Sequence, residues 1–167
     1  MTPGVELPGL GEQGDEPSPR YDPARMTEQE TIESVRSSLR SGRGVHGMLE
    51  GLFRLNELRS EACVASLFPE VVRLLGPNHI GRRARDVLLI LPTDRLEPLA
   101  AAWTEDFLND FENELNEYWG LFDMLQAAGL SQLSRRVALR AAEAPDEDLR
   151  RSGRDWLLEL EDGIERR

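Results

Sequence analysis

Four carboxylates set the first chemical question. Asp106, Asp110, Glu114 and Glu117 follow one another at intervals of four, four and three residues, the spacing that brings side chains to one side of an α-helix. They belong to a run of eight acidic residues between Glu97 and Asp123 that contains no basic one. Like charges at that spacing repel by roughly a few tenths of a kcal/mol per pair, so something should offset them. A basic partner surface would do so, as would this chain's own arginines, of which residues 31–96 hold ten against seven acids. A divalent ion is a poor answer, because a helical row of carboxylates does not wrap a cation as a loop does. The four acids are therefore the candidate partner-binding residues, and no metal is expected.

Two basic clusters pose the opposite question. Arg82, Arg83 and Arg85 form one, and Arg135, Arg136 and Arg140 the other. Guanidinium forks grip phosphate or carboxylate bidentately, which makes Arg82, Arg83, Arg135 and Arg136 candidate anion-binding residues; ion pairs to a neighbouring helix are the competing use. Catalytic signals are nearly absent. His46 and His79 have no Ser, Cys or His partner at motif spacing, and no phosphate-cradling glycine motif occurs. Cys63 stands alone, so it forms no internal disulfide, and it sits in an apolar helical stretch as a small hydrophobe would. No enzymatic activity and no cofactor are expected.

Composition narrows the class further. The chain has 167 residues, 40% of them hydrophobic, enough for one domain with a core of its own. Its 31 acids against 20 basic residues give a formal charge of -11, which disfavours general binding to nucleic-acid phosphates. All 20 basic residues are arginine, a bias that reads as GC-rich bacterial coding. No apolar run reaches the length of a membrane span and no basic-then-apolar leader opens the chain, so a cytoplasmic protein is expected.

These residues must be positioned by helices. Residues 1–26, rich in Pro and Gly with little apolar periodicity, predict a flexible acidic lead-in before a single domain over 27–167. Thr27 and Glu30 have the spacing of a capping box, with Ile32, Val35 and Leu39 following at helical intervals and Ser41–Gly44 as a stop. Met48 to Leu58, Ala62 to Leu75 and Ile80 to Leu91 predict three more helices, with Gly76-Pro77 and Pro92 as breakers and Thr93 or Asp94 as the next N-cap. Leu108, Phe111, Leu115, Tyr118, Phe122 and Leu125 alternate three and four apart, so 103–128 reads as one long helix. Leu133 to Ala144 and Leu149 to Leu160 complete the set, separated by Pro145 and Asp146. No alternating strand pattern occurs, and the fold class is all-α.

An internal echo runs through the second half. Shifted by 53 positions, Gly76, Arg82, Arg83, Pro92, Leu96 and Trp103 fall on Gly129, Arg135, Arg136, Pro145, Leu149 and Trp156, so a helix stop, a breaker and a large packing residue recur together. The stretch Leu67 to Leu75 with its Pro69, the arginines of 82–85, and Pro145-Asp146 followed by Arg150 resemble the HEAT and armadillo class of stacked helical repeats. The resemblance spans about 62–160 and implies an irregular HEAT-like array; a compact helical bundle is the alternative. The pattern departs from that class in the long helix over 103–128 and in the 53-residue interval. Such arrays recognise other proteins, which implies an adaptor or an inhibitor of a basic protein, an immunity or antitoxin-like protein being one variant. A phosphate or nucleic-acid binder using the arginine clusters is the alternative from a different class.

Overall fold

The computed structural model describes residues 26–40, 44–110 and 114–165. The expected lead-in up to residue 25, the stop at 41–43 and Phe111 of the apolar stripe lie outside the described residues. Among the described residues there are nine helices and no strand: α1 (Glu28–Arg40), α2 (Gly44–Leu58), α3 (Glu61–Ser66), α4 (Phe68–Val72), α5 (His79–Leu88), α6 (Thr93–Asn109), α7 (Leu115–Ala127), α8 (Ser131–Ala142) and α9 (Glu147–Glu165). The all-α expectation holds. Buried side chains from all nine helices join in one apolar cluster, from Ile32, Val35 and Leu39 of α1 to Leu149 and Trp156 of α9.

Several helix starts follow from local chemistry alone. The Thr27 backbone N–H donates to the Glu30 carboxylate at 2.7 Å, and the Glu30 N–H donates back to the Thr27 hydroxyl at 3.3 Å. This closes the capping box that the spacing predicted. Ser60 caps α3, Asn78 caps α5 and Asp146 accepts from the Leu149 N–H at 2.8 Å to start α9. The caps satisfy amides that the first helical turn leaves unpaired.

Three sequence expectations need correction. The helix read over Ala62–Leu75 is two short ones, broken at Leu67, because Pro69 falls in the first turn of α4 and cannot donate into an unbroken helix. Ile80–Leu91 ends earlier, at Leu88, and Thr93 and Asp94 lie inside the first turn of α6 instead of capping it, Pro92 being the residue before the helix. The long helix over 103–128 is also two. Asp110 (ψ 121°) and Glu114 (ψ 162°) are both extended, so α6 stops at Asn109 and α7 restarts at Leu115. The rings of Phe107 and Tyr118 then meet edge-to-face at 4.8 Å. In a continuous helix those positions would be separated by about 16 Å of rise. The apolar stripe is thus shared between two helices, and the four acids do not stack along one of them.

The 53-residue offset now applies to elements as well as to residues. Shifted by that amount, α5 lands on residues 132–141, within α8, and α6 starts one residue before α9. The break between α2 and α3 lands on the break between α6 and α7. Packing partners correspond in part: α5 sits on α2 and α4 as α8 sits on α6 and α7, whereas the extensive packing of α9 on α8 has no equal between α6 and α5. Two helices approach closely at Gly153, where an added Cβ would lie 2.7 Å from the Ala141 carbonyl carbon and 2.8 Å from the Ala138 oxygen, so α8 and α9 touch backbone to backbone. Likewise a Cβ on Gly120 would lie 2.6 Å from the Leu75 carbonyl carbon, which sets α7 directly against the turn before α5.

Candidate functional site

The break between α6 and α7 builds a cleft. Val72, Arg73 and Leu75 from the end of α4 and the turn after it, Trp103, Asp106, Phe107 and Asp110 from α6 and its end, and Glu117 and Leu121 from α7 line a cavity of about 510 Å³. Apolar and aromatic side chains line it together with one arginine and three carboxylates.

Trp103 stands on the wall of this cleft in a different setting from its counterpart. Its counterpart at the 53-residue offset, Trp156, is buried and stacks on Phe122 with ring centroids 4.6 Å apart and planes 11° off parallel. The position related to Phe122 is Pro69, which offers no aromatic face. Trp103 is left half-buried, with the Arg73 guanidinium 5.6 Å from its ring centroid, within the range of a cation–π contact.

The four acids that the spacing singled out do not share a helix face. Asp106 is exposed on α6, Asp110 ends that helix, Glu114 precedes α7, and Glu117 lies in the first turn of α7. Three of them, Asp106, Asp110 and Glu117, converge on the cleft through the fold; Glu114 is not among its lining residues. They differ in their commitments. The Glu117 carboxylate accepts the Glu114 N–H at 2.8 Å and so helps start α7. Asp110 lies close enough to the Tyr118 phenol to disfavour its ionisation. Burial is the main cause that pushes this phenol above its ordinary value, opposed by the Arg140 guanidinium bonded to it. Asp106 forms no ion pair among the described residues.

The arginines meet different helices. Arg136 pairs with Glu105 of α6. Arg85 bridges to Asp123 of α7 at 2.9 Å and to Asp86 at 3.2 Å, and the Asp123 bond is the leading reason its guanidinium is held above the ordinary arginine value. Arg82, Arg83 and Arg135 are exposed. Arg83 lines a depression between α2 and α5 that also gathers His46 and His79, a meeting that sequence spacing gave no sign of, since the two histidines are 33 positions apart. Among the described residues no group of three or more His, Cys, Asp or Glu side chains is placed to hold a metal ion, and no helix is long and apolar enough to cross a membrane.

Comparison with known protein families, with curated proteins and with solved structures finds no match to this chain.

Proposed function

We propose that this chain is a non-enzymatic protein-interaction module, a short tandem array of α-helical units of the HEAT and armadillo kind, that receives a segment of a basic protein in the cleft between α4, α6 and α7. The observation that carries this reading is the cleft itself, lined by Trp103, Phe107 and Leu121 together with Asp106, Asp110 and Glu117. A cleft of this kind suits a peptide that offers a large apolar side chain between arginines or lysines. The apolar side chains would contribute desolvated contact, and the carboxylates orientation and speed of encounter. The array reading is supported by the matching of helices and of part of their packing at one offset, and by the separation of α6 from α7, which takes away the departure that a single long helix made from that class. The nucleic-acid alternative draws less support, since Arg85 and Arg136 are already engaged by the chain's own carboxylates.

The test uses fluorescence polarisation with labelled peptides that carry one Leu, Phe or Trp between arginines, and matched peptides with glutamates in their place. The basic set should bind the full chain and weaken as salt is raised. Asp106→Asn combined with Asp110→Asn should reduce its affinity by about tenfold, chiefly through slower association. Equal binding of basic and acidic peptides, or unchanged binding by the doubly neutralised variant, would refute the assignment.

A further inference from the structure

A second concave site lies where α2 packs on α5. His46, Leu49, Glu50 and Phe53 from α2, with His79 and Arg83 from α5, line a depression of about 320 Å³, and it shares no lining residue with the acidic cleft. Arg83 and Arg136 are related by the 53-residue offset, and their helices pack on α2 and α6, which the same offset relates. The outcomes differ. Arg136 pairs with Glu105 of α6, whereas the position related to Glu105 is Leu52, which is buried in the core. Arg83 forms no ion pair among the described residues. A guanidinium that forms no ion pair therefore lines a depression that also holds two imidazoles and the Glu50 carboxylate. Beside them Phe53 is 52% exposed, high for a ring of its size.

The charged and titratable groups that line the depression are His46, Glu50, His79 and Arg83. With both imidazoles neutral, Arg83 and Glu50 cancel. With both protonated, two positive charges remain. Such a site rewards an anion that carries more than one charge and has enough oxygens for three donor side chains. Glu50 opposes any anion there, and a carboxylate has only two oxygens and one charge to set against it. A phosphate monoester brings nearly two charges and three terminal oxygens, and guanidinium and imidazolium both donate to them strongly. We propose that this depression binds a phosphate monoester with an apolar organic part, the phosphate held by Arg83, His46 and His79 and the apolar part resting on Leu49 and Phe53.

The experiment is calorimetric titration of the full chain with phenyl phosphate, inorganic phosphate, benzoate and a short single-stranded oligonucleotide, at about pH 6, where imidazoles gain protons. Phenyl phosphate should bind about tenfold more tightly than inorganic phosphate because its ring covers Phe53 and Leu49, and Phe53→Ser should erase that difference. Arg83→Ala should weaken phenyl phosphate by about tenfold or more. Arg154→Ala, which removes an exposed arginine of α9 outside the depression, should leave it unchanged. Absence of saturable binding would overturn the proposal, as would equal losses in the Arg83 and Arg154 variants. So would tighter binding of benzoate or of the oligonucleotide than of phenyl phosphate. Circular dichroism of each variant separates loss of the site from loss of the fold.

Discussion

Replacing Gly153 with alanine sets two physical effects against each other with opposite signs. Gly153 lies within α9, where helix propensity alone favours alanine by up to about 1 kcal/mol. Its neighbours argue the other way. The new Cβ would sit 2.7 Å from the Ala141 carbonyl carbon and 2.8 Å from the Ala138 oxygen, and closer still to the Ala142 nitrogen. All three are backbone atoms that no rotamer change can move. Ordinary carbon contacts need about 3.5 Å, so α8 and α9 must part by about 1 Å along the most extensively packed helix pair in the molecule. Overpacking of this kind costs about 1–3 kcal/mol, and three backbone contacts under 3 Å put Gly153 in the upper half of that range, about 2–3 kcal/mol, which leaves a net loss of about 1–2 kcal/mol after the propensity gain. For a chain of this size each kcal/mol moves the midpoint by about 2–4 °C, so thermal unfolding followed by circular dichroism or calorimetry should show Gly153→Ala melting about 2–8 °C lower. The stack of Trp156 on Phe122 should loosen at the same time, visible as altered near-ultraviolet dichroism. A variant that melts at or above the parent temperature would show propensity to dominate and would refute backbone contact between α8 and α9.

Two further predictions concern polar groups. The Thr104 hydroxyl is buried with no hydrogen-bond partner among the described residues, so Thr104→Val, which keeps the shape and removes the unsatisfied group, should raise stability by about 1 kcal/mol in a urea melt; a loss of that size would mean the hydroxyl is bonded. The Glu30 carboxylate is held below the ordinary glutamate value first by the Thr27 backbone N–H and then by its hydroxyl. Stabilisation from a lowered carboxyl is present above the unfolded value and disappears as pH falls through the lower folded one. Between about pH 6 and about pH 3 the parent should therefore lose more stability than Glu30→Gln, which keeps a capping side chain but has no proton to gain. Equal losses would show that the box does not titrate with folding.

The sequence carried the local features well. Thr27 and Glu30, Asn78 and Asp146 announce helix starts because capping depends on side chains within three residues of the amides they satisfy. Breaks were harder. A single apolar stripe crosses 108–125 with correct helical spacing, yet the chain turns back inside it and Phe107 meets Tyr118. Periodicity records which side chains avoid water and is silent on whether the helix between them is continuous.

The same division runs through the candidate sites. That Asp106, Asp110 and Glu117 act near one another was legible from their spacing, but for the wrong geometric reason: they meet across a break, at a cleft walled by Trp103 and Arg73. The meeting of His46, His79 and Arg83 was not legible at all, because it depends on how α2 packs against α5. Composition and spacing alone determined an acidic all-α chain with an internal offset, since these follow from residue type and short-range hydrogen bonding. Only the tertiary structure decided which tryptophan is sealed and which lines a cleft, and which arginine has a carboxylate and which does not. Those outcomes turn on a neighbour brought in from another helix: Phe122 of α7 beside Trp156, and Glu105 of α6 beside Arg136, where Leu52 holds the position related to Glu105.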